Sequence, residues 1–229
     1  MTKPYLKRKF YGRRKGKTLT QKRADLVDGL LPRIALDYDK SNNRDRSAAS
    51  FFDKDYNEFW LEIGFGDGAH MAEQARRNPH VGHIGCEPFM NGVAALLCEI
   101  DEDNIRNIKI WTNDARDVMD GLKDATLDRV FLLHPDPWHK TKHHKRRFIQ
   151  GATVASLARI IRPGGILRIA TDDQGLCEWM LWHMTRCKSF EWTAKSAKDW
   201  RDPPDDWPVT RYGEKKLAGI PVYMEFVRC

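Results

Sequence analysis

The residues best suited to chemistry are carboxylates that follow short apolar runs. The first stands in Leu61-Glu62-Ile63-Gly64-Phe65-Gly66-Asp67-Gly68, where an apolar run closes on a GxGxG turn. Glycines there permit a sharp turn and let a ligand approach the backbone without Cβ atoms in its way. The spacing differs from the GxGxxG of dinucleotide sites. Glu62 and Asp67 flank the turn, and acids are poor company for a pyrophosphate but good company for a nucleoside carrying positive charge. An ordinary tight strand-to-helix turn would use the same glycines. Glu87 follows a second apolar run, 19 residues after Gly68. An acid at that place accepts both hydroxyls of a ribose. Asp114 follows a third run in Thr112-Asn113-Asp114-Ala115, where an acid and a backbone amide suit an adenine edge. Each acid alone is weak evidence; three in order at successive strand ends define one rim.

The fourth segment is the most specific: His134-Pro135-Asp136-Pro137-Trp138, then five Lys/Arg and three His within residues 139–147. Two prolines hold Asp136 in a stiff turn, Trp138 offers a stacking face, and the cations suit phosphates. The simpler alternatives are a Pro-rich structural turn and a solvated basic helix start. Asp172 follows a fifth run, and Asp173 beside it is placed to cap the next helix. The late stretch Val209-Thr210-Arg211-Tyr212-Gly213-Glu214 is polar and aromatic, and reads most simply as an edge loop.

These acids need strands to end beneath them. Apolar runs at 59–63, 84–86, 108–111, 127–133 and 166–170 alternate with helical patterns at about 69–77, 89–103, 115–122, 144–161 and 174–187. Such alternation predicts a parallel sheet covered by helices on both faces. Residues 190–193 and 222–227 read as two late strands, paired antiparallel at one edge across a long polar insert. Ahead of the sheet, 18–36 reads as a helix bent or ended by Pro32, with Thr18 and Gln21 at capping-box spacing and Leu26, Val27, Leu30, Leu31 and Ile34 on one face. Residues 37–57 read as loop anchored by Phe51 and Phe52. The division is a basic arm with a short helix over 1–50 and a catalytic domain over 51–229.

A chain of 229 residues makes one sizeable domain. The net charge of +7 is concentrated: residues 1–23 carry ten Lys/Arg and no Asp or Glu. A cationic arm with Tyr5, Phe10 and Tyr11 suits a phosphate backbone with rings to stack, although it would also serve as a solubilising terminus. No apolar stretch suits a membrane span or a secretory signal, and five scattered cysteines without CxxC spacing point to free thiols in a reducing cytoplasm and to no metal site.

Taken together, the Glu-Ile-Gly-Phe-Gly-Asp-Gly turn, the segment HPDPWHKTKHHKRRF at 134–148 and the Arg13-Arg14-Lys15-Gly16 region resemble the bacterial tRNA (guanine-N7)-methyltransferase family over nearly the whole chain. The resemblance implies a Rossmann-like class I methyltransferase fold, a mostly parallel twisted sheet with an antiparallel C-terminal edge strand. It implies methyl transfer from S-adenosylmethionine to a guanine in the tRNA variable loop. By the resemblance, the cofactor is held by Glu62, Glu87, Asp114 and Asp136 and by the turn Gly64, Gly66 and Gly68. Asp136 is the catalytic residue. Lys140, Asp172, Thr210, Arg211, Tyr212 and Gly213 contact substrate tRNA. The chain departs from the family at Gly213, where the family has Glu; Glu214 follows one place later. Without the resemblance, the residues leave open a methyltransferase of another RNA, a small molecule or a protein, an NAD-dependent oxidoreductase, and a non-catalytic RNA-binding module. The basic clusters, the GxGxG spacing and the ordered acids count against these in turn.

Overall fold

Parallel neighbours in a sheet cannot be joined by a tight turn, so a chain that builds them must cross over through intervening segments. The computed structural model describes residues 11–38, 45–208 and 219–229. It contains β1 (Glu58–Ile63), β2 (Val81–Cys86), β3 (Ile108–Trp111), β4 (Leu127–Leu133), β5 (Ile161–Thr171), β6 (Phe190–Trp192) and β7 (Val222–Arg228). These form one sheet in the order β3-β2-β1-β4-β5-β7-β6. β1 to β5 are parallel, and β7 lies antiparallel between β5 and β6. The helices are α1 (Gln21–Gly29), α2 (Leu31–Ile34), α3 (Ala69–Arg77), α4 (Met90–Glu102), α5 (Ala115–Gly121), α6 (Gly151–Ile160), α7 (Gln174–Met184) and the short α8 (Lys198–Arg201). None is long and apolar enough to cross a membrane. All five cysteines are free.

Both sheet faces carry apolar residues, which is why β2 is buried along its whole length. On one face Leu61, Ile63, Leu132 and Ile169 pack with Val118, Leu157 and Met180 of α5, α6 and α7. On the other, Met71 of α3 and Leu96 and Leu97 of α4 pack over Ile108 and Ile110, and Leu26, Val27, Leu30, Leu31 and Ile34 of the N-terminal helices extend that cluster. Beyond α3 this second face is covered by the segment 202–208. Its Asp206 carboxylate accepts hydrogen bonds from Arg129 (2.9 Å) and Arg168 (2.7 Å). Arg168 is buried in the sheet and also donates to Glu225. The Gln74 side chain donates to the Asp206 carbonyl at 3.0 Å.

Strand order reverses between β1 and β4. The chain leaves β1 toward β2 on one side and β4 toward β5 on the other, which opens a crevice at the carboxyl ends of the two central strands.

The structure corrects several predicted boundaries. Thr18 and Gln21 form no capping box: α1 starts at Gln21 with Thr20 ahead of it, and the Gln21 amide reaches Asp25 instead. Pro32 opens the separate turn α2. The helix expected over 144–161 is a 3-10 helix, Thr141–Arg146, followed by α6. The break comes because Gln150 and Thr153 form a reciprocal cap that starts a new helix there. Helix α7 stops at Met184, and β5 begins at Ile161, with Pro163–Gly165 inside it where its register against β4 shifts.

Burial works against the Asp206 charge, but Arg168 and Arg129 overcome it and hold the carboxyl below its usual range. A depressed pKa contributes stability above the unfolded value and loses it as pH falls. Asp206→Asn should therefore lower Tm at neutral pH, and the difference from wild type should shrink below about pH 4. Thermal melts across that range test this.

Candidate active site

At the end of β1 the backbone turns through Gly64, Gly66 and Gly68, with φ of +73°, +60° and +83°. These left-handed values favour glycine. A Cβ on Gly64 or Gly66 would meet no atom within 4 Å, because both border a cavity; a Cβ on Gly68 would strike Leu96 at 2.5 Å. Glu87, past the end of β2, holds the turn. Its carboxylate accepts the Gly66 N–H (2.9 Å) and the Phe89 N–H (2.8 Å). Burial pushes the Glu87 carboxyl above its usual range; the two backbone N–H groups pull it down, and the charges of Asp136 and Glu62 add to the rise. Helix α4 packs tightly on the turn, so a Cβ on Gly92 would lie 2.0 Å from the Gly66 carbonyl oxygen.

The cavity measures about 450 Å³ and sits at the crevice between β1 and β4, lined by Ile63 and Gly64 on one side and Leu132 to Asp136 on the other. That volume lies within the roughly 300–1,000 Å³ of small-molecule sites. Asp114 reaches the wall, caps α5 through the Arg116 N–H, and receives the Arg116 side chain at 2.9 Å. Asp136 is exposed and faces the cavity from a strained turn: His134 and Trp138 on either side have φ of +48° and +47°. Non-glycine residues pay for that conformation, and such strain gathers at functional sites. The His134 ring lies 3.6 Å from Asp172. Burial lowers the His134 pKa, against the pull of the Asp172 charge.

Residues 11–17 lie across the mouth as a strap. Asn91 clasps it by accepting the Gly16 N–H (2.7 Å) and donating to the Lys17 carbonyl (2.7 Å). The Met90 N–H donates to the Arg14 carbonyl, and the Arg14 side chain reaches Asn113. Tyr11, Gly12 and Arg13 thereby become part of the cavity lining. The Arg146 guanidinium lies over both the Tyr11 ring (4.3 Å) and the Trp138 ring (4.9 Å), which meet edge-on. The lining thus combines two buried acids, Glu87 and Asp114, the exposed Asp136, and the cations Arg13, Lys145 and Arg146.

Of the predicted residues, Gly64, Gly66, Glu87, Asp114 and Asp136 converge on this cavity. Glu62 lies behind the wall: it is buried, and its carboxylate sits 2.7 Å from His70 Nδ1, with the His70 ring packed on Phe131 and Trp207. The even-numbered residues of β1 point to the face opposite Leu61 and Ile63, and so carry Glu62 away from the cavity. Gly68 shapes the turn from outside. Asp172 sits beside His134 at the rim, and Lys140 is exposed at the start of the basic 3-10 turn. Thr210, Arg211, Tyr212 and Gly213 lie outside the described residues. Asp173 caps α7, as its position predicted, by accepting the Leu176 N–H at 2.6 Å. Residues that the sequence reading passed over are Gly92, Asn91 and Arg116, of which only Gly92 carried a signal, a glycine inside an otherwise regular helical pattern; the strap residues were read as part of the basic arm, without their place at the cavity mouth.

Residues 56–219 match the protein family described as "Putative methyltransferase". The tRNA (guanine-N(7)-)-methyltransferase of Rhodospirillum rubrum is 44% identical over 229 residues, which cover 99% of this chain and 90% of that protein. The protein of the same name from Agrobacterium fabrum is 41% identical, with coverage of 96% and 94%. Among solved structures, the 16S rRNA methyltransferase KamB superposes with a TM-score of 0.52 at 14% identity, over 76% of this chain and 89% of its own. An rRNA methylase from Streptococcus thermophilus gives 0.50 at 10% identity, over 76% and 88%. At these identities the structural likeness concerns the fold.

Two outcomes follow from the geometry of the turn. Gly92→Ala forces a Cβ against the Gly66 carbonyl, and overpacking of this kind costs about 1–3 kcal/mol. The variant should melt lower and bind S-adenosylhomocysteine more weakly in calorimetry. Because the Glu87 pKa is raised, affinity for that ligand should fall as pH drops from about 7 to about 5, and Glu87→Gln should be weak throughout.

Proposed function

The chain belongs to the tRNA (guanine-N(7)-)-methyltransferase family, and we propose that the cavity between β1 and β4 is where its methyl donor and a tRNA guanine meet. The protein transfers a methyl group from S-adenosylmethionine to N7 of a guanine in tRNA. The guanine is that of the variable loop.

The donor's chemistry fits the cavity wall. Open space stands where Gly64 and Gly66 would carry a Cβ, and Glu87 and Asp114 line the same cavity. Gly64, Gly66, Glu87 and Asp114 hold the nucleoside, with Glu87 at the ribose. Glu62 and Gly68 act from behind, fixing α3 and the turn. When bound, the donor supplies a methyl group already attached to a positively charged sulfur, so the protein need not activate it.

Guanine N7 presents an in-plane lone pair and carries no proton in the neutral base. A general base is therefore not required; the protein must align the two reactants at contact distance. As N7 takes up the methyl group the purine gains positive charge. Asp136, held between two prolines and two strained residues, orients the base through its N–H edge and offsets that charge. Trp138 provides a face for the purine. Asp172, adjoining His134 at the rim, and Lys140 contact the nucleotide and its phosphate, and the segment Thr210–Gly213 adds further substrate contacts. Lys142, Lys145 and Arg146, with the basic arm, hold the tRNA backbone, whereas Arg147 of the same run is buried and donates to the Pro137 carbonyl. The observation that carries this reading is that Asp136, on the turn after β4, lines the same cavity as Gly64, Gly66, Glu87 and Asp114.

The test is a methylation assay on a tRNA transcript with methyl-labelled donor, followed by digestion and identification of the labelled nucleoside by mass spectrometry. Wild type should yield 7-methylguanosine. Asp136→Ala should lose about 100-fold or more in kcat, with tRNA affinity retained. Full turnover in that variant would remove Asp136 from the mechanism, and another labelled nucleoside would overturn the target.

A further inference from the structure

A tRNA is far larger than the guanine that enters the cavity, and its neighbouring nucleotides need a surface. We propose that the surface around the C-terminal half of α7, running from Trp179 to Arg186 just past the helix end, is an RNA-binding platform continuous with the cavity mouth. The proposal rests on the reading of the cavity as a tRNA-methylating site.

A ladder of rings and cations connects the two places. At the mouth, Arg146 lies over both Tyr11 and Trp138, and His143 meets Trp138 edge-on at 5.9 Å. The next residue, His144, meets Trp179 of α7 at 5.5 Å, and the Arg147 guanidinium lies 5.1 Å from the same indole. His183 packs on Trp179 at 4.7 Å, and Trp182 on His183 at 4.7 Å. Arg186 closes the series, stacked 4.0 Å over Trp182. Arg186 lies two residues past Met184, where α7 ends.

Exposure and charge argue for a ligand on this face. Among the described residues the large exposed hydrophobics are Tyr11 (38%), Trp182 (52%) and Ile220 (82%). Two of the three are aromatic, and they stand at the two ends of the ladder. Arg186 donates to the Trp182 carbonyl at 3.2 Å and forms no ion pair with a described residue, so its charge is left for a partner. Residues 137–158 contain five Lys/Arg and no Asp or Glu, and 179–190 also lack acids. On α7, Asp173 caps the helix, and Glu178, one turn before Trp182, accepts a hydrogen bond from Gln174. The platform is rigid, because Met180 and Met184 are fully buried and the Trp179 N–H donates to the Ile149 carbonyl at 2.7 Å. An exposed indole with a guanidinium stacked over it suits a stacked base and its phosphate.

The experiment measures tRNA affinity of the full-length protein across a salt series for Trp182→Ala, Trp182→Phe and Arg186→Ala. It is paired with kcat at saturating tRNA and S-adenosylhomocysteine affinity by calorimetry. Trp182 is half exposed, so its loss leaves the core intact. Trp182→Ala should weaken tRNA binding about tenfold, and Trp182→Phe should restore most of the loss. Arg186→Ala should reduce the slope of log K against log salt by about one. The kcat and the homocysteine-ligand affinity should stay at wild-type values. The proposal is overturned if tRNA affinity in both alanine variants stays within about twofold of wild type. Sedimentation showing that Trp182→Ala splits a dimer, with tRNA affinity unchanged, would assign the face to a second copy instead. Failure of wild type to methylate tRNA would be a separate result, against the cavity reading and not against α7 alone.

Discussion

Glu87 ends β2 with both carboxylate oxygens committed to the backbone, one to the Gly66 N–H from the turn after β1 and the other to the Phe89 N–H that leads into α4. Two crossovers are thereby tied to one side chain, and the glycine turn keeps its left-handed shape. The tie is compact because Gly92 lets α4 approach the Gly66 carbonyl. Burying a carboxylate costs free energy, and here the cost appears as a raised pKa that two hydrogen bonds only partly offset. What remains is a charged, half-satisfied group in the cavity lining, ready for a ligand with hydroxyls to donate.

Sequence and structure agree best where one periodicity dominates. The parallel strands and their order of acids were legible because β1, β2 and β4 are apolar runs of strand length, each closed by glycine, proline or acid. Glu87, Asp114 and Asp136 follow strand ends, and parallel strands bring such ends to one edge. Glu62 was less legible, since its neighbours belong to the same motif. Strand alternation puts it on the other face, where His70 takes its carboxylate. The helix expected over 144–161 hid a boundary, because Gln150 and Thr153 provide a cap with residues that also occur inside helices. The strap was legible as a basic arm but its docking was not: its clasp joins Gly16 to a side chain 75 positions away.

The lining of the site joins opposite charges. Its acids suit a small cationic donor, and its cations suit phosphates. The turn carrying Asp136 is strained at both ends. That strain is sustained by anchors on either side: the His134 N–H bonds the Ala170 carbonyl, and the Arg147 side chain donates to the Pro137 carbonyl at 2.8 Å. Among the described residues no ion pair engages Asp136, and backbone geometry fixes the turn that carries its carboxylate.

The clasp of the strap also bears on how the protein is made. Residues 11–17 leave the ribosome well before their partners, Asn91, 75 residues on from Gly16, and Asn113, 99 residues on from Arg14. Arg146, which stacks on Tyr11, is synthesised later still. The strap must therefore wait, solvated by its own charges, until those partners have been translated. Contacts of such long sequence separation form late, after their loop entropy can be repaid. The mouth of the cavity is thus closed by a segment synthesised long before the residues that clasp it.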